Sequence, residues 1–186
     1  MKKVLVPIAD GTEEIEAVCI IDVLRRAGAE VTVASVGPLE ITASRGVRIV
    51  ADSFLADCVD VDYDLIALPG GIPGAENLRD SIELEGLLKR QARADRFLGA
   101  ICASPAVVFE THGLLKGRRA TTHPGFVDRL GDPSAARSRV VVDGNIVTSR
   151  GPGTALEFSI ELVALLYGRD HADAVAGPMV MPENGH

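Results

Sequence analysis

Tryptophan is absent from this chain of 186 residues, and aromatics make up only 4% of it although 47% is hydrophobic. Its core must therefore be built of Val, Ile, Leu and Ala, a composition that suits parallel strands covered by helices. Basic charge is also in short supply. Lys and Arg number 19 against 26 Asp and Glu, leaving a net charge of −7. That balance argues against a nucleic-acid partner, whose phosphates need a basic surface. The one arginine cluster, Arg90, Arg93 and Arg96, sits among acids and reads as a solvated helix face. Cysteines number three, an odd count that implies no disulfide framework and points to a reducing compartment. No apolar stretch approaches a membrane span. The apolar run after Met1-Lys2-Lys3 stops at Asp10, too soon for a signal peptide. A cytoplasmic location is the resulting expectation. The cysteines and histidines lack metal-ligand spacing, so no metal site is expected. There is no Gly-Lys-Ser/Thr phosphate loop, and no dinucleotide glycine fingerprint follows the first strand. No repeat or low-complexity linker divides the chain, and residues 1–186 read as one domain.

What is present is an alternation of strand and helix patterns. Lys3 to Ala9 reads as a strand. Asp10-Gly11-Thr12-Glu13 resembles a capping box, opening a helix that ends near Gly28. Glu30 to Val36 is a second strand, and Leu39 to Asp52 suggests short strands or a hairpin turning at Ala43-Ser44-Arg45-Gly46. Asp64 to Leu68 reads as a buried strand ending in Pro69-Gly70-Gly71, and Glu76 to Ala94 as one amphipathic helix. Phe97 to Ile101 is a short buried strand, followed at Ser104-Pro105 by a helix start. Arg119 to Thr122 reads as a strand, Asp143-Gly144 as a hairpin turn, and Thr154 to Tyr167 as a helix stopped by Gly168. The tail from Gly177 to His186 reads as irregular. Alternating strands and helices predict an α/β three-layer sandwich with a mostly parallel central sheet.

In such sheets the chemistry collects at the carboxyl ends of the strands. Four segments fall there: Asp10 to Glu16, Pro69-Gly70-Gly71, Cys102, and Thr122-His123-Pro124. A cysteine at a strand-to-helix junction reads two ways. It is a small buried hydrophobe, or it is a reactive thiol whose pKa is lowered by the helix N–H groups, which would also hold an oxyanion. Convergence of the four segments favours the reactive thiol. Glu16 is the most informative acid, because its neighbours three, four and seven residues on are Cys19, Ile20 and Val23. A carboxylate on that face needs a partner, and burial would raise its pKa. Glu13 and Glu14 instead read as exposed acids at the helix N-terminus. His123 is a candidate base or proton shuttle beside Cys102, whereas His112 reads as a C-terminal cap and His171 and His186 as surface residues. Gly70-Gly71 allows close backbone approach and could add oxyanion donors to Ala103. The first helix is apolar nearly all round from Ile15 to Leu24, which hints at a homodimer with this helix in the interface.

Five segments in order carry a resemblance: Glu13-Glu14-Ile15-Glu16, Leu68-Pro69-Gly70-Gly71, Ala100-Ile101-Cys102-Ala103-Ser104-Pro105, Thr121-Thr122-His123-Pro124 and Thr148-Ser149-Arg150-Gly151-Pro152-Gly153-Thr154. They resemble the ThiJ/PfpI superfamily in its DJ-one branch, from Lys3 to about Met181. The resemblance implies a flavodoxin-like sandwich, a homodimer, and a nucleophile elbow at Cys102 beside a protonated Glu16. It implies oxyanion donors at Gly71 and Ala103, with Gly70, Arg26 and Arg45 around the pocket and the dimer, and Pro152 reaching the site from the partner chain. Several relatives have Gly where this chain has Ser104. The superfamily's protease branch adds an acid to Cys and His; only Asp128 offers itself here, so peptidase activity is not expected. The activity implied is a glyoxalase and protein deglycase that needs neither glutathione nor a cofactor. Cys102 would attack methylglyoxal or glyoxal, and Glu16 and His123 would move the protons. The alternative is a redox-sensing, chaperone-like protein working through reversible oxidation of Cys102.

Overall fold

A computed structural model describes residues 1–181. Seven strands form one sheet in the order β5-β2-β1-β6-β7-β9-β8. They are β1 (Lys3–Ile8), β2 (Glu30–Ser35), β5 (Ser53–Phe54), β6 (Leu65–Leu68), β7 (Phe97–Ile101), β8 (Val140–Asp143) and β9 (Ile146–Ser149). All neighbours run parallel except β8, which turns back antiparallel on β9 through Gly144-Asn145, one residue later than expected, because Asp143 still pairs with Ile146 in the ladder. A separate antiparallel hairpin joins β3 (Glu40–Thr42) to β4 (Arg48–Val50). The protein is an α/β flavodoxin-like three-layer sandwich.

The strand pleat sorts the core into two layers. From β1, Val4, Val6 and Ile8 face α1 (Glu14–Arg26) and α4 (Ala155–Tyr167), packing with Ile20, Leu24, Phe158 and Leu162. Leu5 faces the other way, with Ile66, Leu68, Leu98 and Ala100, against α2 (Gly74–Asp80), α3 (Ile82–Arg93) and the turn after β7. The final helix, α5 (Arg169–Ala176), packs on α4. Aliphatic side chains fill both layers. Phe109 and Phe158 are the aromatic rings that are fully buried.

Several local expectations need correction. The pattern from Glu76 to Ala94 is two helices, because the Ser81 hydroxyl accepts the Leu84 N–H and caps a new one, α3. No capping box opens α1. The Thr12 hydroxyl accepts the Ala9 N–H instead, closing the turn that leaves β1. Ser104 does not cap either; its hydroxyl donates to the Pro69 carbonyl at 2.6 Å and ties the turn after β7 to the end of β6. That turn, Pro105–Glu110, is a wide π-type helix. Arg119 to Thr122 is no strand. Thr121 donates its N–H to the Thr148 hydroxyl, so side chains take the place of a ladder. His112 reaches the Arg79 carbonyl across to α2 rather than capping its own segment, and His171 reaches the Ala27 carbonyl. In the tail, Gly177–Met179 forms a short 3₁₀ turn. Residues 182–186, including His186, lie outside the described residues.

Candidate functional site

β1 sits where the strand order reverses, with β2 on one side and β6 on the other, and the crevice beyond strand carboxyl ends at such a point is where doubly wound sheets bind ligands. The segments after β1, β6 and β7 meet there. Cys102 ends β7 with φ of +65°, a left-handed conformation that a non-glycine residue adopts only under external restraint. The restraint is visible. Its N–H donates to the Ser149 carbonyl at 3.0 Å, and its own carbonyl accepts the His123 N–H at 2.7 Å and the Thr122 hydroxyl at 2.6 Å. The side chain is thereby held at the mouth of a pocket, 9% exposed.

Gly70 makes room for it. A β-carbon there would stand 2.6 Å from that of Cys102. The N–H groups of Gly71 and Ala103 both point at the Cys102 sulfur. Glu16 is fully buried on α1 and accepts the Gly70 N–H on Oε2 at 2.7 Å, while its Oε1, sealed from solvent, has no hydrogen-bond partner among the described residues. The Cys102 thiol lies beside it and favours its ionised form. Burial pushes Glu16 up to about 7, against the pull of the Gly70 N–H and Cys102. Burial, and then the ionised Glu16 beside it, push the thiol up to about 12, with the Gly71 and Ala103 N–H groups opposing. This corrects the expectation that the helix start would leave a low thiol pKa. The two groups titrate as a pair: between those values they hold one proton, and the thiolate exists when Glu16 is the one that keeps it.

A proton held by a buried acid stabilises the fold only while it is bound. For Glu16 that contribution is complete below pH 4.5 and is lost as pH rises through about 7. The loss is on the order of 3 kcal/mol. Glu16→Gln keeps an acceptor for the Gly70 N–H without titrating. Urea melts of variant and wild type are therefore expected to diverge in the variant's favour between about pH 5 and about pH 8. Parallel stability curves would refute the buried proton.

Glu13 and Glu14 are 8% and 7% exposed, which corrects their reading as solvated acids. The Ser44 hydroxyl lies 2.7 Å from Glu13 Oε2 and 2.8 Å from Glu14 Oε2, and the Arg45 N–H donates to Glu14 Oε1 at 2.8 Å. Burial acts to raise the Glu14 carboxyl, but the Glu14, Arg45 and Val47 N–H groups and Ser44 outweigh it and hold it below its ordinary value. Ser44 was visible in the sequence only as a turn residue. Its contacts come from 30 and 31 positions away, and no local signal marks them.

A pocket of about 270 Å³ opens over the sulfur, lined by Glu13, Ser44, Arg45, Gly71, Ile72, Cys102, Ala103, His123, Phe126 and Pro152. That volume suits a ligand of a few heavy atoms. His123 is exposed, and its Nδ1 accepts the Gly125 N–H at 3.1 Å, which leaves Nε2 carrying the hydrogen of the neutral ring. Pro152 lines the pocket from within the same chain. Arg26 is not brought to the pocket: it lies at the far end of α1 from Glu16 and pairs with Asp22 at 2.5 Å. A larger concavity of about 630 Å³ lies over α4 and α5, but its arginines are already engaged, Arg139 with Glu157 and Arg169 with Glu161. Among the described residues no helix is long and apolar enough to cross a membrane.

The chain is 56% identical over 169 residues to Protein DJ-1 homolog B of Arabidopsis thaliana, an alignment that takes in 90% of this chain and 39% of that protein. The chain thus spans less than half the length of the Arabidopsis relatives it matches. It is 34% identical to the Caenorhabditis elegans protein named Glutathione-independent glyoxalase DJR-1.2, over 96% of this chain and 95% of that one. The solved structure of oxidised Toxoplasma gondii DJ-1 superposes with a TM-score of 0.96 at 47% identity, covering 98% of this chain and 100% of that one. The family model that matches residues 2–165 is of the same kind, and the chain belongs to the DJ-1/PfpI family.

Proposed function

We propose that this protein is a glyoxalase that needs neither glutathione nor a cofactor, and that it converts methylglyoxal to lactate, and glyoxal to glycolate, through a hemithioacetal on Cys102. The observation that carries the reading is Cys102 held at φ +65° between two N–H groups and a buried acid, under a pocket sized for a small aldehyde. The thiolate adds to the aldehyde carbon. The Gly71 and Ala103 N–H groups receive the developing oxyanion, and Glu16 supplies or takes the proton of that exchange. His123 offers Nε2–H from the rim of the pocket. Removal of early glycation adducts from proteins is the same chemistry on an aldehyde already captured by an amine. The name of the worm relative adds support from within the family. We place a homodimer in the same proposal, because Ile15 and Val18 on α1 stay 53% and 52% exposed.

A second reading has an observation of its own. A relative of the same shape is described as oxidised, and the Cys102 sulfur faces a pocket open to small oxidants, with Glu16 behind it. Reversible oxidation of Cys102 would then be the function.

One sample tests both. The purified chain, free of glutathione and metal, is given methylglyoxal and lactate is followed by NMR, with sedimentation reporting its assembly. Lactate formation supports the enzyme, and its absence with Cys102 reduced turns the case to redox sensing. His123→Ala then separates the two: turnover is expected to fall on the order of 100-fold while peroxide oxidation of Cys102, read by mass, keeps its rate. Equal losses would sink that division.

A further inference from the structure

Rearranging a hemithioacetal to a hydroxy acid requires a base for the proton on its C1 carbon. Neither of the two partners read from the sequence presents a free acceptor within the pocket. Glu16 gives Oε2 to the Gly70 N–H and is not among the residues that line the pocket. His123 does line it, but its Nδ1 is occupied by the Gly125 N–H, so it presents a donor rather than an acceptor.

Glu13 is placed differently. It lines the pocket with Cys102, Ala103 and His123. Its N–H donates to the Gly70 carbonyl at 2.9 Å, and a β-carbon on Gly71 would lie 2.5 Å from its nitrogen. Its backbone therefore abuts the loop whose N–H points at the sulfur. Its Oε2 lies 2.7 Å from the Ser44 hydroxyl, whose single hydrogen it shares with Glu14 Oε2 at 2.8 Å, whereas its Oε1 takes no hydrogen bond among the described residues and is not sealed from solvent. It is thus a carboxylate with one oxygen anchored and the other free, in the wall of the pocket.

We propose that Glu13 is a catalytic residue of this site: its carboxylate removes the C1 proton of the Cys102-bound hemithioacetal and returns it to C2, with Ser44 as the positioning residue that anchors it. The inference rests on the glyoxalase reading. The Cys102 thiolate adds to C1, and the C1 oxygen takes the proton held by the Cys102–Glu16 pair. Glu13 takes the proton from C1. The C–H electron pair becomes a C1=C2 double bond, and the C2 carbonyl pair moves onto its oxygen, facing His123 Nε2–H. Glu13 then returns its proton to C2 while the proton on the C1 oxygen passes to the C2 oxygen. The product is a lactoyl thioester on Cys102. C1 has lost two electrons and C2 has gained two, so no outside oxidant enters. Water cleaves the thioester to lactate and the free thiol.

Glu13→Gln keeps the size of the side chain and removes the base. Iodoacetamide is expected to alkylate Cys102 in the variant at the wild-type rate. Lactate from methylglyoxal is expected to form about 10² to 10⁴ times more slowly, and the one-methylglyoxal adduct on Cys102 to accumulate in intact-mass spectra. Turnover within about threefold of wild type, without accumulated adduct, would overturn the assignment. Should the variant also lose alkylation, its pocket has changed, and Ser44→Ala becomes the reading. There the carboxylate remains but loses its anchor, and a fall of about tenfold with the same adduct is expected; unchanged turnover overturns the assignment. A wild-type protein that makes no lactate defeats the glyoxalase reading itself, which is a different result from a wild type that turns over and a Glu13→Gln variant that equals it.

Discussion

Replacing Cys102 with alanine is expected to reduce lactate formation from methylglyoxal by at least about 10³-fold, to the level of solution without protein. The expectation follows from the division of labour in the site. In the proposed mechanism Glu16, Gly71 and Ala103 all act on the sulfur or on the oxygen bound to the carbon it attacks, so without the sulfur they have nothing to act on. The loss cannot be blamed on unfolding. Alanine has the same left-handed cost at φ +65° that cysteine already bears, and the Cys102 N–H and carbonyl keep their bonds to Ser149, His123 and Thr122. The melting temperature is therefore expected to move by only a few degrees, the scale of about 1 kcal/mol in a chain of this size. Activity retained by Cys102→Ala would place the chemistry elsewhere in the molecule.

The largest effect on stability is expected at Gly71. Its φ is +91°, and a β-carbon there would stand 2.4 Å from the Gly11 carbonyl oxygen and 2.5 Å from the Glu13 nitrogen. Both neighbours are backbone, and neither is the end of a flexible side chain that could swing away. Relief needs the segment after β1 to part from the segment after β6, which opens the site. Gly71→Ala is expected to cost about 3–5 kcal/mol, a fall in melting temperature of roughly 8–15 °C, and to abolish turnover. Gly86→Ala is the control. Gly86 sits inside α3 with nothing within 4 Å of a new β-carbon, and the change is expected to stabilise by up to about 1 kcal/mol. Calorimetry on the two variants and the wild type reads both signs. A Gly71→Ala protein as stable as wild type would mean that the interlocked backbones are not as close in solution.

These residues also mark what could be read before the structure. The elbow was legible because a buried run, Phe97 to Ile101, ends abruptly at Cys102 and a serine and proline follow. Glu16 was legible because the helix period surrounds it with apolar neighbours. The parallel sheet was legible from the alternation of element types. Other features depend on groups brought from a distance. Glu13 and Glu14 look like solvated acids until the β3–β4 hairpin folds Ser44 and the Arg45 N–H over them. The interlock of Gly11, Gly71 and Gly74 involves three backbones, and no spacing rule encodes it. Ser81 was hidden within a continuous amphipathic pattern, since a helix that stops and restarts on the same face keeps its period. Arg26 shows the limit of a matched position: the residue is there, but in this chain it faces Asp22 and not the pocket.

The unequal margins of the central sheet bear on how the chain behaves when crowded with others. One margin, β5, is two residues long, which leaves too few free backbone groups to template a strand from another molecule. The opposite margin, β8, offers four residues and carries Val142 at 39% exposure. Growth of the sheet from one molecule into the next, the first step toward fibrillar or amorphous aggregates, therefore has one direction open to it. Val142→Lys is therefore expected to slow the rise of light scattering in concentrated samples, and an unchanged rise would show that growth does not start at β8.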